Sequence, residues 1–324
     1  MQDKGVFKLS IIKKSKVLVT GGAGFIGSNL VDSLIKDNEV VVVDDLSMGK
    51  VENLPKSDNL HFFKHSITDE CYMQDLLINW NFDYIFLLAA VASVADTVDR
   101  PRITHEINQN ANLNVLETIR THNLNPRKVV FTSSAAVYGN NPELPKVETS
   151  PIDPLTPYAI DKFATERFVI DYGNLYGIST VSTRFFNVFG PKQNPSSPYS
   201  GVISLINDKM KLNEVFSVFG DGEQKRDFIF VTDVVKALIL LASQEKSEGV
   251  YNVATGKGTT LNEVISMFEH LRGKKLAVSY GEKRVGDIKV SVADISKIQN
   301  LGFYPEFSMA QGLRKYISFS DSTK

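Results

Sequence analysis

The stretch "VLVTGGAGFIGSNLV", residues 17–31, constrains the fold more than any other part of the chain. A short apolar run meets a cluster of glycines, and apolar residues at helical spacing follow: strand, tight turn, helix. Gly21 allows the turn, Gly24 lets the backbone approach a pyrophosphate, and Gly27 permits close packing of helix on sheet. The start of such a helix offers unpaired N–H groups and the positive end of its dipole. Gly21, Gly24, Phe25, Ile26 and Gly27 are therefore candidate phosphate contacts. A glycine turn alone also serves purely structural ends, so the next strand matters. "EVVVVDD", residues 39–45, is a continuous apolar run, as in a parallel strand buried on both faces, and it ends on Asp44. A carboxylate there accepts ribose hydroxyls and repels a 2′-phosphate, and no arginine stands beside it. NAD is expected over NADP. Asp45 is the neighbouring candidate, or a loop cap.

The same rhythm continues. "NLHFFKHS", "FDYIFLLAA", "RKVVFTSS" and "GISTVSTRFFNVFG" read as strands, separated by helical patterns at "DECYMQDLLINW", "THEINQNANLNVLETIRTHN" and from Tyr158 to about Tyr176. The expected fold is α/β: a Rossmann-type parallel sheet with helices on both faces, plus a smaller C-terminal substrate-binding region. After Gly190 the pattern breaks into "PKQNPSSPYSG" and shorter elements. The expected division is a dinucleotide-binding domain over 1–190, with later strands contributed from about 225–255, and a mainly substrate-binding region over 191–324, the two interleaved. The first dozen residues are either an extra strand or a loose arm.

Composition narrows the functions. The net charge of −1 gives no general field for nucleic acid or anionic membrane. Cys71 is the only cysteine, which rules out an intrachain disulfide or a cysteine-based zinc site and agrees with a cytoplasmic setting. The N-terminus does not read as a signal peptide, and no stretch reaches the roughly 18 apolar residues of a membrane span.

"TPYAIDKFATERFV" carries the chemistry. Tyr158 and Lys162 are four apart and share a helical face. A free phenol, with a pKa of about 10, is a poor base at pH 7. A nearby ammonium favours the phenolate and makes Tyr158 a candidate general acid/base. The alternative is an ordinary tyrosine above a solvated lysine. Ser134 ends the strand "KVVFTSS", where a hydroxyl can orient a substrate hydroxyl; Ser133 is its neighbour, and the competing role for either is a cap of the following turn.

With these segments in hand, the chain resembles the extended short-chain dehydrogenase/reductase superfamily, and within it the UDP-sugar 4-epimerases. "TGGAGFIG", "LLAAVASV", "TSSAAVYG", "PYAIDK", "RFFNVFGPKQNP" and "GDGEQKRDFIFVTDV" carry the resemblance, from Lys16 to about Gly302. It implies Ser134, Tyr158 and Lys162 as the catalytic set. It implies Ser66, Ile67 and Ala89 as further cofactor contacts, although Ser66 replaces the family's usual acid. It also implies that Asn108 supports the catalytic segment. Ala135 and Ala136 stand where related dehydratases carry an acidic pair, which points to epimerisation through a 4-keto sugar with bound NAD.

On the substrate side the resemblance implies Asn187, Arg226 and Arg284 near the diphosphate, Asp287 at the uridine ribose, Tyr199 over the uracil and Asn194 as a loop contact. Asn194 equally fits a turn cap, and each arginine has a neighbouring aspartate, Asp227 or Asp287, as an alternative partner. Ser291 stands where glucose-restricted relatives carry a bulky tyrosine, leaving room for an N-acetyl group. UDP-GlcNAc/UDP-GalNAc interconversion is expected. UDP-glucuronate or UDP-glucose epimerisation, a net NAD-dependent dehydrogenase or reductase, and a non-enzymatic NAD-binding interaction protein are the alternatives. By resemblance the chain forms a homodimer through helices around 106–121 and 158–176, and serves polysaccharide biosynthesis.

Overall fold

A computed structural model of the protein describes residues 12–193, 201–283 and 288–322. The N-terminal arm, Asn194, Tyr199, Arg284 and Asp287 lie outside the described residues. The first half alternates β1 (Lys16–Thr20), α1 (Phe25–Leu34), β2 (Glu39–Asp44), β3 (Leu60–Lys64), α2 (Glu70–Trp80) and β4 (Tyr84–Leu87). It continues through α3 (Val94–Asp99), α4 (Pro101–His105), a π-helical turn (Glu106–Asn110), α5 (Ala111–Thr121), β5 (Lys128–Ser134), α6 (Pro157–Tyr176) and β6 (Thr180–Phe185). Then come β7 (Asn187–Phe189), α7 (Val202–Leu212), β8 (Phe216–Phe219), β9 (Lys225–Phe230), α8 (Val231–Ser243), β10 (Gly249–Val253) and β11 (Gly258–Thr260). The chain closes with α9 (Leu261–Arg272), β12 (Val278–Gly281), β13 (Val290–Ser291), α10 (Ser296–Gln299) and α11 (Met309–Ser322).

Seven parallel strands form one sheet in the order β10-β6-β5-β4-β1-β2-β3. Both faces are buried, which is why the strands are apolar without a break. Val17, Val19, Val40 and Val42 pack toward α1 and α8. Leu18, Val41 and Val43 point the other way, toward α2, α5 and α6. The chain order reverses between β1 and β4, and the crevice beyond the C-terminal ends of those strands is where such a sheet binds its ligand.

The second region is built on β9, flanked by β11 and β13 and paired also with β7. Together with α7, α9 and α11 it buries a separate cluster around Phe189, Phe230, Ile206 and Phe268. The expected contribution of 225–255 to the large sheet needs correction. β10 joins that sheet and α8 covers it, but β9 belongs to the small one. β9 and β10 have similar apolar content, so pairing partners rather than composition separate them. The expected long helix before His122 is also interrupted, by the π-helical turn at 106–110.

α6 follows its sequence signals. Thr156 caps its start by accepting from the Ala159 N–H at 3.2 Å, Pro157 occupies the first turn, and Gly177 ends it in the left-handed conformation. Its buried face holds Asp161, Lys162 and Glu166 among Ala159, Thr165 and Val169. Three charged groups on the buried side of one helix are a feature to explain.

Candidate active site

The crevice is a cavity of about 1030 Å³. The glycine turn forms one wall. Gly21 has φ +69°, and a Cβ there would lie 2.8 Å from the Ala89 backbone, so a side chain is excluded on both grounds. A Cβ on Gly27 would sit 2.3 Å from the Gly21 carbonyl oxygen. Asp44 is buried and locks this turn: its carboxylate accepts from the Ala23 N–H at 3.0 Å and the Leu46 N–H at 2.9 Å. Burial pushes its proton affinity up, and those backbone donors pull it back.

Gly21, Gly24, Phe25, Ile26, Gly27, Asp44, Ser66, Ile67, Ala89, Ser134, Tyr158 and Lys162 all line this one cavity. They come from six separate segments of the chain. Two polar residues that sequence reasoning passed over hold the walls. Thr20 Oγ1 accepts from the N–H groups of Leu88 and Ala89 at 3.1 and 3.3 Å, tying β1 to β4 at their ends. Asn53 donates to the Ala23 carbonyl at 2.9 Å. Asn108 brackets the Val91 peptide, accepting from its N–H at 2.8 Å and donating to its carbonyl at 3.2 Å. Its own carbonyl receives the Thr165 hydroxyl of α6 at 3.2 Å. A strand-end threonine and a helical asparagine carry no local signal of such a role; only the pairing of distant segments reveals it. Phe185, Phe186, Val188 and Lys192 complete the far side and were likewise missed.

Tyr158 is partly open to the cavity. Its phenol is pushed up by burial and pulled back by a hydrogen bond with Ser134. Ser134 Oγ also accepts from the Ala136 N–H at 3.2 Å, so the hydroxyl both caps the turn and meets the phenol. The phenol meets Ser134 and not Ser133, which is buried with its hydroxyl unpartnered. Lys162 departs from expectation. Its ammonium donates to the Thr132 carbonyl at 2.8 Å and lies 4.9 Å from the centre of the Phe131 ring, rather than bonding the phenol. Burial depresses its pKa to about 7, against a smaller opposing pull from Asp161. A lysine at this depth sits near the balance between its two charge states at neutral pH.

Of the substrate candidates inside the described residues, Ser134 lines the cavity, while Asn187, Arg226 and Ser291 stand on the small sheet, not among the cavity-lining residues. Asn187, on β7, donates to the Asp227 carbonyl at 3.2 Å. Arg226, on β9, donates to the Ile288 carbonyl at 2.6 Å. The Asp227 carboxylate faces elsewhere: it accepts from Thr255 at 2.8 and 2.6 Å, from Gly256 at 2.9 Å and from Ala293 at 3.3 Å. Ser291 is directly opposite Arg226 in the β13–β9 pairing.

The sequence profile of the NAD dependent epimerase/dehydratase family matches residues 17–254. The chain belongs to that family. A putative UDP-glucose 4-epimerase of Methanocaldococcus jannaschii is 38% identical, over 94% of this chain and 97% of its own. Two solved structures superpose closely. A UDP-N-acetylglucosamine 4-epimerase of Methanobrevibacter ruminantium, in complex with UDP-N-acetylmuramic acid, is 39% identical with a TM-score of 0.91, over 97% of this chain and all of that one. A UDP-glucose 4-epimerase of Thermotoga maritima, with UDP-glucose, is 37% identical with a TM-score of 0.90, over 95% and 99%.

The cavity fits the dinucleotide of the family name. Gly24 is the N-cap of α1 and no side chain caps the helix start, which leaves its first N–H groups without a side-chain partner. Asp44 ends β2, while Ser134, Tyr158 and Lys162 line the same cavity from β5 and α6, on the other side of β4 and β1. Among the described residues, no helix is long and apolar enough to cross a membrane.

Proposed function

We propose that the protein is a UDP-sugar 4-epimerase that uses bound NAD and interconverts UDP-GlcNAc and UDP-GalNAc. The observation that carries the reading is that Tyr158, Ser134 and Lys162 line the same crevice as the glycine turn and Asp44. NAD, when bound, supplies the acceptor and later the donor of the hydride at sugar C4. Everything else falls to this chain. Tyr158 takes the proton of the C4 hydroxyl and returns it to the C4 oxygen after the keto sugar has turned its other face; Ser134 orients that hydroxyl. Lys162 places a positive charge beneath the phenol's helix turn. Ala135 and Ala136 offer no further acid or base, so water is not eliminated and the 4-keto sugar is simply reduced again.

Between those steps the sugar turns, so the nucleotide must be gripped elsewhere. Asn187, Arg226, Arg284 and Asp287 are assigned that grip, with Tyr199 covering the base and Asn194 as a loop contact. Ser291, small and beside Arg226, supports the N-acetylated substrate by leaving room at C2. Exposed apolar side chains on α6, among them Ile160, Phe168 and Leu175, support a homodimer through the helices around 106–121 and 158–176, and the lone cysteine suits the cytoplasm.

The test is direct. The purified protein, without added NAD, is given UDP-GlcNAc, UDP-glucose and UDP-glucuronate separately and the products are resolved. Turnover of UDP-GlcNAc without accumulation of NADH is expected, and Tyr158→Phe lowers the rate by at least about 100-fold with NAD still bound. Equal turnover of UDP-glucose overturns the role of Ser291; net NADH formation overturns the epimerase.

A further inference from the structure

The buried face of α6 contains a carboxylate that the acid/base chemistry does not use. Asp161 is only 4% exposed. One of its oxygens meets His105 Nδ1 at 2.7 Å, and the other is buried with no partner among the described residues. A half-satisfied ionised carboxylate is expensive in a low-dielectric setting. A fold that keeps one needs a group that benefits from it. Asp161 directly precedes Lys162, which is itself only 2% exposed and whose ammonium donates to one backbone carbonyl.

We propose that Asp161, oriented by His105, is a positioning residue for the reaction, whose negative charge keeps Lys162 protonated and in place beneath Tyr158. This rests on Lys162 belonging to the acid/base set. Asp161 is the carboxylate that pulls against the effect of burial on Lys162. The other charged groups facing α6 are already matched. Glu166 and Arg184 pair at 2.6 Å, and Arg184 also takes up Tyr138. On α5, Glu117 pairs with Arg120; on α3, Asp96 pairs with Arg100 at 2.9 Å. Glu106, in the π-helical turn, receives the Asn110 amide at 2.8 Å. Lys128, at the opposite end of β5, donates to the carbonyls of Glu245 and Ser247 at 3.4 and 2.9 Å. Asp99 and Arg102 are solvent-exposed. His105 arrives from α4, immediately before the turn that carries Asn108, so the carboxylate is held by the same segment that shapes the Val91 wall.

The sign of the effect follows. Removing the negative charge makes Lys162 release its proton at lower pH, so activity is lost selectively on the alkaline side. In Asp161→Asn, the alkaline limb of kcat moves about one pH unit downward, roughly a tenfold loss at pH 8.5, about threefold at pH 6.5 and little change at about pH 5, with the KM for the UDP-sugar unchanged. His105→Leu removes the donor that holds the carboxylate in place, at a partly exposed position, and moves the limb the same way by less. An independent readout is the 13Cε resonance of Lys162 in lysine-labelled holoenzyme, assigned by its loss in Lys162→Met; its titration midpoint falls in both variants. A pH profile that keeps its wild-type shape, lowered equally at all pH values or not at all, overturns the proposal, as does an unmoved Lys162 midpoint. If Asp161→Asn fails to fold, His105→Leu decides by the same two measurements. Failure of the epimerase reading is distinct: no turnover at any pH, with the Lys162 titration still measurable.

Discussion

Lys162 is expected to cost the fold stability in exchange for its place in the site, and Lys162→Met exposes that cost. A lysine whose pKa falls from the ordinary 10.5 to about 7 on folding loses about 5 kcal/mol of favourable protonation in full, at 1.36 kcal/mol per pH unit. The folded pKa is the lower one, so the unfolded chain binds more protons between the two values and stability rises with pH across that window. The penalty is complete below pH 7, still about 4 kcal/mol at pH 7, and about 1 kcal/mol at pH 10. Methionine matches the length of the side chain and carries no charge. It forfeits the 2.8 Å hydrogen bond to the Thr132 carbonyl, about 1 kcal/mol. The variant should therefore be more stable than the parent by about 3 kcal/mol at pH 7, a gain that vanishes near pH 10. The assay is urea unfolding of nucleotide-stripped protein followed by circular dichroism and the fluorescence of Trp80, the chain's only tryptophan. With a slope of about 3 kcal/mol/M, the midpoint at pH 7 moves upward by about 1 M. Activity should be lost at the same time. A variant less stable than the parent at pH 7, or a gain that does not shrink with rising pH, refutes the argument that the ammonium is held against its burial.

Two further outcomes test the frame around the site. Glu166→Ala strands the Arg184 guanidinium, which is fastened to Glu166 at 2.9 and 2.6 Å, to Tyr138 at 2.9 Å and to the Glu148 carbonyl at 3.0 Å; the loss in a denaturant titration should be about 3–5 kcal/mol, whereas the apolar pair Glu166→Leu with Arg184→Met recovers most of it. Gly27→Ala drives a methyl group to within 2.3 Å of the Gly21 carbonyl oxygen, so it should lower stability by about 1–3 kcal/mol and abolish NAD binding measurable by calorimetry.

Much of this was legible in the chain. The run Val40–Val43 announced a strand covered on both faces, and the structure places its alternate residues in two different clusters. Thr156, Pro157 and Gly177 marked both ends of α6. The glycine spacing carried the turn because backbone crowding at Gly21 and Gly27 is a local steric fact. The pairing of strands was less legible. β9 and β10 look alike, and which sheet each joins depends on partners far along the chain. Thr20 and Asn53 gave no sign of what they hold, because each bonds a backbone group of a segment at least 30 residues away.

The sequence by itself determined the alternation of elements, the dinucleotide turn, and the presence of a tyrosine and a lysine on one face of one helix. These depend on residue size, periodicity and spacing, which act over a few residues. Only the tertiary structure decided the electrical state of that pair. It turned the lysine onto the Thr132 carbonyl rather than the phenol, gave the phenol to Ser134, and set a half-satisfied carboxylate and His105 beside them. Proton affinities follow depth of burial and the charges within a few ångströms, and those neighbours are brought together from β5, α4 and α6 only when the chain has folded.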